Sequence, residues 1–200
     1  MILENNKKNI KLFTKKITTG EIVIFPTDTV FGIGCDATNT TAIKKIYQLK
    51  QREQSKSLLL NFPSIRSIKK FACLSKKEEI LLKSFSELTL ILKVRPSSPL
   101  SPLTIKNNTI GVRLPKNKTL LQILRGIKTP LISTSCNKSG NTPTLTKEEA
   151  EKIFPQLPIL ENKEELSQTP STIIRLHNNE IELLRQGSLS IDDIKNKLQK

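Results

Sequence analysis

Residues 20–61 read GEIVIFPTDTVFGIGCDATNTTAIKKIYQLKQREQSKSLLLN, and this stretch decides the fold class. Residues 22–25 are a short β-branched and aromatic run that stops at Pro26, the pattern of a buried strand ending in a loop. Pro26, Thr27, Asp28 and Thr29 then bring two hydroxyls and a carboxylate to the strand end. Gly32 and Gly34 permit backbone approaches that a side chain would block. Asp36, Thr38 and Asn39 offer N-cap chemistry for a helix whose apolar positions Ala42, Ile43, Ile46, Tyr47 and Leu49 recur with helical period. Lys50, Arg52 and Lys56 arrive as that helix ends, just before a second apolar run at residues 58–60. The spacing predicts one βαβ-like unit with a hydroxyl-bearing loop and a basic loop at its strand ends. Taken alone, Asp28 reads as a turn former, and Lys50 and Arg52 equally suit the last turn of a helix, where cations favour the negative end of the dipole.

Working outward, residues 5–19 carry Ile10, Leu12, Phe13 and Ile17 among lysines and read as an amphipathic helix. Downstream, Pro63 and Ser64 open a helix with Ile65, Ile68 and Phe71 on its apolar face. Ser75 caps a helix over 76–85 with Glu78 or Glu79 in its first turn, and Thr146 with Glu149 forms a capping box for a helix over 147–154. Strands are predicted over 88–94, 109–115, 129–132, 159–160, 171–175 and 181–185, and helices over 119–125 and from Ile191. Pro96, Pro99 and Pro102, spaced by serines, mark a surface loop that is a candidate lid. The strand at 129–132 runs into Ser133, Thr134, Ser135, Cys136, Asn137, Lys138, Ser139 and Gly140, a second dense cluster of hydroxyls and amides. Helix-linked connections early and hairpin spacing late predict an α/β chain with a mixed twisted sheet flanked by helices.

The chain has 200 residues, enough for one domain with a real core, and a formal charge of +15. Such a charge attracts polyanions, whether nucleotide phosphates or a nucleic acid backbone. The three cysteines, Cys35, Cys73 and Cys136, have no C-x-x-C spacing, and His177 is the single histidine, so a disulfide framework, a zinc site and a histidine-based triad are all disfavoured. Catalysis then has to be electrostatic. No apolar run reaches the roughly 18 residues of a membrane span and no secretory leader is recognisable, which predicts a cytoplasmic location.

Several separated motifs, in order, resemble the YrdC/Sua5/TsaC family of threonylcarbamoyl-AMP synthases: Thr-Asp-Thr-Val-Phe-Gly-Ile-Gly-Cys-Asp at 27–36, Lys50-x-Arg52, Ser-Thr-Ser-Cys-Asn-Lys-Ser-Gly at 133–140, Pro-Ser-Thr-Ile-Ile at 170–174 and Leu184-Arg185-x-Gly187. The resemblance implies a single YrdC-like domain over residues 1–200 with a concave basic pocket, without the second C-terminal domain of longer members. It implies synthesis of threonylcarbamoyl-adenylate and pyrophosphate from L-threonine, bicarbonate and ATP with Mg²⁺, for N6-threonylcarbamoyladenosine at tRNA position 37. A downstream threonylcarbamoyl transferase complex is the implied partner, with no membrane and no protein-bound metal, and the dispersed lysines add an expectation of weak tRNA binding. Carried over by position, it puts Lys50, Arg52, Ser135 and Asn137 at the catalytic centre. Lys50, Arg52, Lys56, Thr109, Ser135 and Arg185 fall at ATP, and Thr29, Asn61, Arg113, Ser133 and Ser171 at threonine. Asn61 stands where many members have histidine, Cys136 where alanine is usual, and Arg175 where an acidic residue is frequent. The rivals are a non-catalytic RNA-binding module of the same fold, and an enzyme transferring carbamoyl or adenylyl groups with another amino acid.

Overall fold

A computed structural model describes residues 1–177 and 180–199. The chain runs β1 (Ile2–Leu3), α1 (Lys7–Thr18), β2 (Val23–Pro26), β3 (Phe31–Gly34), α2 (Thr40–Lys50), β4 (Leu59–Asn61), α3 (Ile65–Phe71), α4 (Lys76–Ser84), β5 (Leu88–Lys93), a 3-10 turn (Pro102–Thr104), β6 (Thr109–Arg113), α5 (Lys118–Gly126), β7 (Leu131–Ser135), α6 (Lys147–Ile153), β8 (Ile159–Leu160), β9 (Thr172–His177), β10 (Glu180–Arg185) and α7 (Ile191–Gln199). The helices begin where side-chain caps satisfy free backbone N–H groups: Asn6, Asn39, Ser64, Ser75, Asn117 and Thr146 each accept from the residue three positions on. Ser75 with Glu78 and Thr146 with Glu149 close reciprocal capping boxes.

The described strands form one mixed sheet in the order β1-β8-β2-β3-β7-β4-β6-β5-β9-β10. The βαβ-like unit expected from residues 20–61 forms with a different first strand, β3 in place of the run at 22–25. Thr27 Oγ1 accepts from the backbone N–H groups of Thr29 (3.1 Å) and Val30 (3.3 Å) and donates to Val30 O (2.7 Å). This tight turn sends the chain straight back as β3, antiparallel to β2. Residues 31–34 are therefore strand and not loop. Gly34 allows it: a Cβ there would lie 1.8 Å from Ile132 O on the neighbouring strand. Because β7 is antiparallel to both β3 and β4, β3 and β4 are parallel with β7 inserted between them, and α2 spans that gap.

Period-two alternation divides the core. Ile24, Ile33, Leu60, Leu90, Val112 and Ile132 pack in one cluster with Ile43 and Ile46 of α2, Ile68 of α3, Leu81 of α4 and Ile194 of α7. On the opposite face Val23, Phe25 and Leu131 pack with Phe13 and Ile17 of α1 and Leu120, Ile123 and Leu124 of α5. These two helices cover only part of that second face. The remainder, from β3 to β10, stays open. The loop that follows β5 is no lid over it: Leu100 is buried, Ser101 N donates to Ala37 O at 3.0 Å and Ser101 Oγ accepts from Thr40 Oγ1 at 2.8 Å, which pins the loop to the start of α2. Among the described residues no helix is long and apolar enough to cross a membrane.

Candidate active-site cleft

The open part of the sheet is a cleft of about 480 Å³. Its floor is what alternation leaves on this face: Gly32 of β3, Ser133 and Ser135 of β7, Leu59 of β4, Ile91 of β5 and Ile173 of β9. Gly32 keeps the floor low, because a Cβ there would lie 2.7 Å from Ser133 Oγ. Thr27, Thr29, Arg52, Lys56, Arg113, Ser171, Leu184 and Arg185 form the walls. Of the twelve residues that the sequence places in the site, Thr29, Arg52, Lys56, Arg113, Ser133, Ser135, Ser171 and Arg185 line this one cleft.

One end is built around Arg113, the last residue of β6 and buried. Its Nε donates to Ser86 O at 2.8 Å and its Nη1 to Thr29 Oγ1 at 3.2 Å, while Nη2 has no hydrogen-bond partner. Burial weighs against the guanidinium's charge, and Asp28 beside it opposes that shift. The unpartnered, desolvated donor in the wall of a cleft suits a planar anion such as a carboxylate. Asn61 pairs with Arg113 in register, so it shares this face two residues beyond Leu59. It is 2% exposed and does not itself line the cleft.

At the other end Arg52 follows an α2 terminus closed by Gln51 in the left-handed region (φ 52°), with Gln51 N donating to Gln48 O and Arg52 N to Tyr47 O. Arg52 Nη2 donates to Ser57 O at 2.9 Å, and its buried Nε has no partner. Arg185 donates to Ser171 O through Nε (3.1 Å) and Nη2 (2.6 Å), and from Nη2 to Ser171 Oγ (3.1 Å). Ser171 Oγ in turn lies 2.9 Å from Thr89 Oγ1. Burial lowers both arginine pKa values, and Arg52 further lowers that of Arg185. A bound anion would favour the charged form of both guanidiniums in this cleft.

Besides Asn61, three expected site residues lie outside the cleft. Lys50 is 1% exposed and sits behind the cleft wall. Its ammonium donates to Ser135 O, to Asn137 O at 2.6 Å and to Asn137 Oδ1 at 2.9 Å, so none of its three N–H groups is left for a phosphate. Burial lowers its pKa to about 8. Asn137 is likewise turned inward: Oδ1 also accepts from Ser135 Oγ at 2.7 Å, and Nδ2 donates to Asn141 O. Both residues hydrogen-bond Ser135, which lines the cleft. Thr109 sits at the far end of β6 and lines a separate cavity with Cys73, Lys93 and Arg175. Burial pushes the Cys136 thiol up to about 11, which keeps it a packing residue.

Sequence reasoning missed Ile91, Ile173 and Ser57; the first two could have been found by carrying the alternation of β5 and β9 onto one face. It also missed what Asp28 does. This carboxylate reaches across the fold instead of closing its own turn, and accepts from Lys116 N at 2.9 Å and Asn117 N at 2.8 Å.

The chain matches the family model Sua5/yciO/yrdC, described as telomere recombination, over residues 15–187. The threonylcarbamoyl-AMP synthase of Hydrogenovibrio crunogenus is 34% identical over 157 residues, covering 76% of this chain and 84% of that protein. That of Buchnera aphidicola subsp. Acyrthosiphon pisum is 32% identical over 167 residues, covering 80% and 95%. Among solved structures, P. abyssi Sua5 complexed with L-threonine superposes with a TM-score of 0.91 at 25% identity, over 98% of this chain and 60% of that one. E. coli YciO has the same fold, with a TM-score of 0.84 at 19% identity over 97% and 98% of the two chains.

Proposed function

The chain belongs to the Sua5/YciO/YrdC family, and from that premise we propose that it is a threonylcarbamoyl-AMP synthase, a nucleotidyltransferase making threonylcarbamoyl-adenylate and pyrophosphate from L-threonine, bicarbonate and ATP for tRNA N6-threonylcarbamoyladenosine. The observation that carries this reading is the polarity of the cleft. A buried arginine with an open donor beside Thr29 suits an amino-acid carboxylate at one end, and Arg52, Lys56 and Arg185 suit a polyphosphate at the other. A pocket that only gripped an RNA backbone would not need the hydroxyls of Thr29, Ser133 and Ser171.

The threonine nitrogen and bicarbonate give a carbamate, with loss of water and a proton. A carbamate oxygen then bonds to the α-phosphorus of ATP as the bond from that phosphorus to the bridging oxygen breaks and pyrophosphate leaves. Both reactants are anions. The part of Arg52, Lys56 and Arg185 is to offset that repulsion and stabilise the charge developing on the phosphates, a task of preorganised electrostatics with no side-chain base. Ser135, set by Lys50 and Asn137, orients the nucleotide. The charged walls of the cleft are cations, and Mg²⁺ arrives on ATP as part of the substrate.

Pyrophosphate release by the purified chain should require both bicarbonate and L-threonine. Serine should serve less well by about 1 kcal/mol, the value of one buried methyl-sized group. Equal turnover without bicarbonate would overturn the reading. Dispersed lysines should give weak tRNA binding that falls steeply between low and physiological salt; tight binding with little salt dependence would favour the RNA-binding module. The adenylate would then pass to a threonylcarbamoyl transferase.

A further inference from the structure

Asp28 and Arg113 face each other at the amino-acid end of the cleft without completing a hydrogen bond. Asp28 Oδ2 lies 3.7 Å from Arg113 Nη2, each side chain is 8% exposed, and both atoms are buried with no hydrogen-bond partner. The other oxygen of Asp28 is tethered. Oδ1 accepts from the backbone N–H groups of Lys116 (2.9 Å) and Asn117 (2.8 Å), and Asn117 is the N-cap of α5. That helix is fixed in turn by the packing of Leu120, Ile123 and Leu124 against α1 and β2.

A guanidinium offers a carboxylate two forks, one from Nε with Nη2 and one from Nη1 with Nη2. The first is closed here because Nε donates to Ser86 O at 2.8 Å. The second is open on Nη2, while Nη1 spends one of its two N–H bonds on Thr29 Oγ1 at 3.2 Å. Had Asp28 come within about 2.8 Å of Nη2, as charge-assisted pairs do, the fork would be filled internally and a substrate carboxylate would have to displace it.

We propose that Asp28 is a positioning residue for amino-acid recognition: the backbone N–H groups entering α5 hold its carboxylate back from Arg113, close enough to aim the guanidinium and too far to occupy it. Nη1 and Nη2 therefore stay available for the α-carboxylate of the substrate. This rests on the reading of the cleft as a threonine site and adds to it the residue that keeps Arg113 open. Burial raises the pKa of Asp28, and Arg113 and the backbone N–H groups of Lys116 and Asn117 oppose that shift.

Two substitutions test the tether. Asp28→Glu adds a methylene and lets the carboxylate reach Nη2. Asp28→Asn keeps an oxygen for the Lys116 and Asn117 N–H groups and removes the charge that aims Arg113. The assay is pyrophosphate release with L-threonine and with L-threoninamide, which lacks the anionic carboxylate, alongside the KM for ATP. The wild type should prefer threonine by about 100-fold or more in kcat/KM, as a site built around a polar group does. Asp28→Glu should raise the KM for threonine about tenfold with kcat nearly unchanged, the mark of lost binding common to ground and transition states. Both variants should narrow the acid-to-amide preference by about tenfold while the KM for ATP stays within about twofold. A purely structural Asp28 would lower thermal stability and leave that preference alone, and this result overturns the proposal, with the milder Asp28→Asn deciding if Asp28→Glu does not fold. Wild-type protein without threonine-dependent turnover would overturn the underlying reading and the proposal together.

Discussion

Arg52→Ala is expected to release pyrophosphate about 100-fold more slowly than the wild type, the scale of losing one preorganised charge donor from a transition state. The side chain is held in the cleft by a single contact, Nη2 to Ser57 O at 2.9 Å, and its buried Nε is unpartnered. Removing it therefore orphans one exposed carbonyl and little else, and the fold should survive. Arg52→Lys restores charge without the planar fork and should recover only part of the rate. Thr29→Val is the contrasting change at the other end of the cleft. It keeps the shape and deletes the hydroxyl that accepts from Arg113 Nη1, so it should weaken threonine by about 1 kcal/mol. ATP affinity measured by calorimetry should fall in Arg52→Ala and not in Thr29→Val. Equal losses in two folded variants would show that the division of the cleft is wrong, and unchanged turnover in both would show that the site lies elsewhere.

Lys50→Met should cost the most stability. Methionine matches the volume of the lysine stem and leaves Ser135 O, Asn137 O and Asn137 Oδ1 without their shared donor. Losing the partner of several buried acceptors amounts to about 3 kcal/mol, or a fall in Tm of roughly 6–12 °C for a chain of this size. Turnover should fall as well, since Ser135 lines the cleft and both its carbonyl and its hydroxyl are held by the same cluster. A Tm within about 2 °C of wild type would mean that water replaces the ammonium without penalty. The pH dependence has a definite sign. Burial lowers the pKa of Lys50 from 10.5 to about 8, so between those values the unfolded chain binds more protons than the folded one. Stability attributable to Lys50 is reduced in full below pH 8 and recovers as pH rises through that window. The stability of the wild type relative to Lys50→Met should therefore increase from pH 8 to pH 10, and a decrease over that range would contradict the burial of the charge.

The amino-acid sequence by itself determined whatever rests on near neighbours. Ser75 with Glu78 and Thr146 with Glu149 announced helix starts because a cap and its box lie within one turn. The apolar periods of α1, α2 and α5 and the runs that became β4, β5 and β9 were legible for the same reason. The clustering of hydroxyls, amides and cations at strand ends was legible too, and eight of the residues so marked share one cleft. Only the tertiary structure decided which strands are neighbours and which way each cation points. The insertion of β7 between β3 and β4 depends on Gly34 letting the Ile132 carbonyl pass, a contact between residues far apart in the chain. Lys50 and Arg52 are two positions apart and both basic, yet one is consumed by acceptors 85 and 87 residues away while the other faces the cleft. Asp28, which alone reads as a turn former, is claimed by N–H groups 88 and 89 residues downstream. Such choices are made by whichever distant polar groups are brought within hydrogen-bonding range once the sheet has closed, because a buried charge must take the partners that packing delivers to it.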